Sequence, residues 1–150
     1  NAAPKVASYP FTTLVPTVGV IDYPEKFCSI TMADVPGLIE GAAENRGLGH
    51  RFLRHVERCK ILLFLLDMAA TDGRDPIEDF DHLQKELTDY DPRLADKPFL
   101  VVGNKNDDEN AAENIMRFRN SFDHFEPLFI SAVLEDGLKE LRSVLLKKLK

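Results

Sequence analysis

Cysteine is scarce in this chain: only Cys28 and Cys59 occur among 150 residues, and neither stands in a C-x-x-C or zinc-ligand spacing. That excludes a disulfide framework or a zinc module, and both residues read as buried core thiols in a reducing compartment. Long apolar runs are lacking too. The longest, Ile61-Leu62-Leu63-Phe64-Leu65-Leu66, has strand length and falls well short of the ~18 residues that span a bilayer. No signal-peptide pattern opens the chain, so no membrane role is expected. Paired histidines are missing: His50 and His55 miss the i,i+4 spacing of a zinc helix, and His82 and His124 have no motif partner. Positive charge is in deficit, and a net charge of −6 argues against wholesale nucleic-acid binding.

What is present suits one globular domain. Apolar residues make up 44% and charged residues 29% of the chain, an ordinary balance for a packed fold. Thr17 to Tyr23 and Phe27 to Ala33 read as two strands joined by a tight turn at Pro24-Glu25-Lys26. In the second, Phe27, Ser29, Thr31 and Ala33 share one side and Cys28, Ile30 and Met32 the other. A glycine-rich loop follows, and Arg51 to Cys59 reads as a short helix. Lys60 to Asp67 is apolar throughout, which predicts a strand covered on both faces. Asp75-Pro76 opens a helix with a capping carboxylate and a proline at the first helical position. Ile77, Phe80, Leu83 and Leu87 recur at helical spacing. Phe99 to Gly103 is the next strand, Glu109 to Asn120 a helix, and Leu128 to Ile130 a short strand. A last helix, Glu135 to Leu149, carries acid early and lysine late, matching the helix dipole. This alternation predicts an α/β fold with a mostly parallel sheet and helices on both faces.

Three short motifs each end a strand, and ligands of such sheets bind beyond the strand C-termini. Asp34-Val35-Pro36-Gly37 offers a carboxylate for magnesium and a glycine whose amide can approach a terminal phosphate. Asn104-Lys105-Asn106-Asp107 fits N-K-x-D. The Asp107 carboxylate can accept hydrogen bonds from guanine's ring N–H and exocyclic amine, donors that adenine lacks there. The Lys105 stem can lie over the base, and the Asn104 amide can brace neighbouring loops. At Ser131-Ala132 a backbone amide can meet the base carbonyl. Upstream, Tyr9-Pro10-Phe11-Thr12-Thr13-Leu14-Val15-Pro16 reads as a loop, either a proline-bounded linker or a switch whose threonine binds magnesium only beside a triphosphate.

Those segments resemble the Obg (CgtA) family of GTPases. So do Leu38-Ile39-Glu40-Gly41-Ala42, Gly47-Leu48-Gly49-His50-Arg51-Phe52-Leu53-Arg54-His55 and Gly73-Arg74-Asp75-Pro76, and the similarity runs from end to end. The resemblance implies a P-loop NTPase-like, Ras-like G domain over residues 1–150 that hydrolyses GTP to GDP and phosphate. Phe11, Thr12, Thr13, Leu14 and Val15 would close over the nucleotide. Asp34, Val35, Pro36 and Gly37 would face its phosphates, and Asn104 to Asp107 with Ser131, Ala132 and Val133 would hold guanine. Thr13 and Asp34 would bind Mg2+. It further implies a cytoplasmic protein that associates with the large ribosomal subunit and acts in ribosome assembly and stress control; the sequence does not supply the oligomeric state, for which a monomer is the expectation. Arg51, Arg54 and Arg58, at helical spacing, are either a solvated face or a contact for ribosomal RNA phosphates.

Two departures from the family pattern stand out. The phosphate loop G-x-x-x-x-G-K-[ST] does not occur in these residues, and the family places it, with the first strand, just before Asn1. The expectation is an excerpt of a longer protein, with a non-hydrolysing binding module as the alternative; Asp107 argues against an ATPase. At the position where Ras-like enzymes carry a water-orienting glutamine stands Leu38, which has no hydrogen-bonding group. No catalytic base is assigned.

Overall fold

The computed structural model describes residues 5–6, 17–34 and 56–149, which fall into two units, Asn1–Phe52 and Leu53–Lys150. In the first, β1 (Lys5–Val6), β2 (Thr17–Tyr23) and β3 (Cys28–Ala33) form an antiparallel sheet in that order. Ile21 pairs with Ile30 and Val20 with Thr31, β-branched residues that suit a pleated surface. One turn of 3-10 helix, Pro24–Lys26, joins β2 to β3 and ends on Phe27 at φ 50°. A residue in the left-handed region cannot continue a strand, so β3 begins at Cys28 rather than at Phe27. Ile30 and Met32 are half-buried while Ser29, Thr31 and Ala33 are exposed, as the alternation predicts.

Burial of both thiols is not observed. Cys28 is exposed and Cys59 half-buried. Cys28 begins β3 directly after Phe27, itself 98% exposed, and pairs with Tyr23, so it lies at the turn end of the hairpin.

The second unit is built on a parallel sheet in the order β4 (Leu62–Asp67), β5 (Phe99–Asn104), β6 (Leu128–Phe129). Parallel neighbours need crossovers, and α1 (Pro76–Tyr90) and α2 (Ala111–Ser121) supply them; α3 (Leu138–Leu149) follows the sheet. Leu62 pairs with Phe99 and Phe64 with Val101, so Phe64, Leu66, Phe99 and Val101 share one face by alternation. α1 covers it with Phe80, whose ring meets Phe64 edge-on at 5.2 Å. Phe122 and Phe125 close on Phe80 at 5.0 and 5.5 Å, and Phe118 at 5.7 Å. Phe80 and Phe118 are fully buried. On the opposite face Leu100 and Val102 are buried as well, so both sides of β5 are covered. The expectation that β4 is covered on both sides fails at Leu65, which is 54% exposed between buried Phe64 and Leu66. Among the described residues β4 pairs only with β5, and Leu65 lies on the face opposite the aromatic cluster.

The element ends have local causes. The Asp75 carboxylate accepts from the Ile77 amide at 2.9 Å, Pro76 takes the first helical position, and Pro92 stops α1 from continuing. Asp91 then caps the 3-10 turn Pro92–Asp96. Of the predicted helix Arg51 to Cys59, residues 56–58 are described and helical. Lys97 Nζ donates to the Glu57 and Cys59 carbonyls, which the end of that turn would otherwise leave open. α3 starts at Leu138 rather than Glu135 because Glu135 and Gly137 have φ of 57° and 73°, outside the right-handed region. Among the described residues no helix is long and apolar enough to cross a membrane.

Candidate functional site

The C-terminal rim of the parallel sheet is held together by its own polar groups. Asp67 and Asn104, the last residues of β4 and β5, are register partners. The next residue, Lys105, has φ 65°, an uncommon conformation that turns the chain sharply at the strand end. Three bonds tie the turn to the loop after β6. The Asn104 side-chain oxygen accepts from the Ala132 amide at 3.0 Å. The Asn106 amide donates to the Ile130 carbonyl at 3.1 Å. The Asn106 side-chain amide reaches Asp136 at 3.4 Å. The second loop is closed by reciprocal backbone bonds between Ser131 and Asp136 and by the Ser131 hydroxyl, which accepts from the Leu134 amide at 3.1 Å. Ser131 is fully buried, whereas Val133 is 87% exposed.

This brings together all seven residues singled out in the two downstream motifs. Asn104 does what its sequence position suggested and braces the neighbouring loop. The amide of Ala132, one of those considered for a base carbonyl, is spent on Asn104 here. The Asp107 carboxylate is exposed and, among the described residues, makes no hydrogen bond or ion pair. It is an open acceptor at a fixed rim.

Lys105 is anchored by residues that sequence reading passed over. Its ammonium donates to Asp67 Oδ2 at 2.8 Å and to Thr71 Oγ1 at 2.6 Å. Asp67 also accepts from the amides of Ala69 and Thr71, at 2.9 and 3.1 Å. Burial by itself raises the Asp67 carboxyl; the bonds from Lys105 and Thr71 reverse this and hold it below the ordinary carboxylate value. The hydrogen bond to Asp67 raises the Lys105 ammonium in turn. The available signal was a lone aspartate closing the otherwise apolar Leu62-Leu63-Phe64-Leu65-Leu66 run. Gly103 was missed as well: a Cβ there would sit 2.6 Å from the Phe129 ring and 2.8 Å from Met68 Cγ.

A cleft of about 650 Å³ opens between Ala69–Thr71 and the start of α2. Asp108, Glu109 and Glu113 line it, an acidic wall that repels a polyphosphate.

In the first unit Asp34 follows β3, its amide donating to the Thr17 carbonyl at 2.8 Å. Its carboxylate is exposed and makes no bond among the described residues, so its oxygens suit a hard cation or that cation's waters. No cluster of three or more metal-ligating side chains occurs among the described residues. Phe11 to Val15, Val35, Pro36, Gly37 and Leu38, with Arg51 and Arg54, lie outside the described residues.

A family model described as "50S ribosome-binding GTPase" matches residues 1–105. "GTPase Obg" of Opitutus terrae is 54% identical over 99% of the chain, and "GTPase Obg" of Akkermansia muciniphila 53% identical over 95%. The chain therefore belongs to the 50S ribosome-binding GTPases and, within them, to the Obg family. It spans 44% and 41% of the length of those two relatives. Among solved structures, Era in complex with MgGDPNP and a segment of 16S ribosomal RNA is similar at TM-score 0.63 and 26% identity. The match covers 87% of this chain and 43% of Era. The G domain of the T. maritima FeoB iron transporter, 19% identical over 98% of this chain and 84% of its own, shares the fold at TM-score 0.66. These neighbours define the fold as that of a P-loop GTPase G domain.

Proposed function

We propose that residues 1–150 form the guanine-nucleotide-binding G domain of an Obg-like GTPase that hydrolyses GTP to GDP and phosphate. The observation that carries the reading is the weld between the Asn104–Asp107 turn and the Ser131–Val133 loop, which leaves the Asp107 carboxylate open at the rim. An ionised acceptor held there takes both N–H donors of guanine and offers adenine nothing to pair with. The Lys105 stem covers one face of the base, and the exposed Val133 backbone borders its edge. A nucleoside triphosphate carries magnesium, which offsets charge on its phosphates; Asp34 and, on the family resemblance, Thr13 would supply hard oxygen donors for it. On the family resemblance, Phe11 to Val15 and Val35 to Gly37 would respond to the terminal phosphate. Leu38 cannot orient water, so intrinsic turnover is slow and depends on positioning, helped by a partner or a monovalent cation.

We infer a wider role in the cytoplasm: association with the large ribosomal subunit, which the 50S ribosome-binding family description supports, and action in ribosome assembly and stress control. The Era neighbour is in complex with 16S ribosomal RNA, which supports a ribosomal partner.

The test replaces Asp107 in the full-length protein. Titration with fluorescent GTP, GDP and ATP should show strong guanine preference in the wild type and its collapse in D107A, with loss of about 1–3 kcal/mol of discrimination. Preserved discrimination in the variant would refute the assignment.

A further inference from the structure

The Lys105 anchor does something the base-reading motif does not explain. Lys105 carries a flexible four-carbon stem, and an ammonium free in solvent samples many rotamers. Here both ends are fixed. The backbone is set by the left-handed turn at φ 65°. The tip is set by Asp67 Oδ2 at 2.8 Å and Thr71 Oγ1 at 2.6 Å. The anchor is itself immobilised: Asp67 closes β4, and the amides of Ala69 and Thr71 hold its two oxygens. Ala70 between them adopts φ 52°, so the loop bends to bring the Thr71 hydroxyl round to the ammonium. Met68 is pinned on both sides, its amide donating to the Asn104 carbonyl at 3.1 Å and its carbonyl accepting from Asn114 at 2.8 Å.

We propose that Asp67 and Thr71 are positioning residues for the nucleotide site, holding the Lys105 stem extended so that it is preorganised as one wall of the base pocket. The proposal rests on the guanine-site reading above. Its energetic logic is that a stem ordered before the ligand arrives costs nothing to order on binding. A role in fold stability alone fits the geometry less well. The side chains of Lys105 and Asp67 are 41% and 29% exposed, and ion pairs at such exposure add little to stability. The bond should therefore be felt in ligand affinity more than in unfolding.

A double-mutant cycle on the full-length protein separates these roles. Affinity for fluorescent GDP is measured in the wild type, D67N, K105M and the double variant, together with the melting temperature of each. D67N should weaken binding about ten-fold with little change in melting temperature, and K105M at least as much. The double variant should bind no worse than K105M alone, because Asp67 acts through the lysine. T71V should lose a few-fold, and T71S, which keeps the hydroxyl, should restore wild-type affinity. Wild-type affinity in D67N, tighter binding in D67N, or losses that multiply in the double variant would each overturn the positioning role. A wild-type protein that binds no guanine nucleotide would overturn the site reading instead, and this inference with it.

Discussion

Gly103 sits two residues before Lys105 and has almost no room around it. The Phe129 ring and Met68 Cγ would lie 2.6 and 2.8 Å from an added Cβ. Met68 is fully buried and the Phe129 ring is half-buried on β6, so an added methyl group crowds both. G103A is expected to cost about 1–3 kcal/mol through overpacking. The check is the urea midpoint, which should fall with the slope unchanged; an unshifted midpoint would mean the two side chains yield freely. At this scale the sequence was legible where chemistry alone marks a residue. Asp107, Asn104 and Lys105 declare themselves through the type and order of their functional groups. Gly103, Asp67 and Thr71 do not, because their importance lies in what another segment places beside them. A Phe129 ring arriving from the next strand leaves no trace near position 103.

Among the elements, α1 shows how one side chain can serve two. Asp75 caps its N-terminus through the Ile77 amide and also accepts from Arg117 of α2. Burial raises its carboxyl, but Arg117 and the amides of Ile77 and Glu78 outweigh this and hold it below the ordinary value. A depressed folded value stabilises the protein fully above the unfolded carboxylate range, and the contribution is lost as pH falls through the folded value. Asp67 follows the same sign. Glu86 is opposite: burial raises it, so the penalty on its charged form is relieved on acidification. D75A should cost about 1–2 kcal/mol at pH 7, while D75N retains most of the cap. Both should flatten the fall in stability below about pH 4, measured by denaturant unfolding from pH 3 to 7. A slope identical to the wild type's would show that the ion pair contributes nothing. Elements were the most legible level, since Asp75-Pro76 and the Phe80, Leu83, Leu87 row are local signals. The errors fell at ends where backbone conformation decides: Phe27, Glu135 and Gly137 take positive φ, which periodicity does not report.

For the whole molecule, the two units differ in what they bury. In β2 and β3 only Tyr23 is buried, whereas Val101 and Val102 of β5 are 1% and 0% exposed. Small antiparallel sheets with little apolar cover open readily, and core strands open last. Native-state hydrogen exchange of the 150-residue chain should therefore find the β5 amides slowest and those of β2 and β3 much faster. Equal protection in both would contradict this. The parallel sheet was legible from alternating strand and helix patterns, because each crossover leaves a 3.6-residue rhythm between apolar runs. The six-ring cluster on Phe80 was less so. Phe122 and Phe125 lie beyond the end of α2, where no regular spacing points them inward.

The strand expected to open last is also the one whose tip bears Asn104 and the turn after it. Under the proposed guanine-site reading, a purine base arriving at that tip meets a surface already formed by the described residues 104–107 and 131–136. Its arrival rate should follow solvent viscosity, as a diffusive encounter does, rather than the slow clock of a rearranging loop.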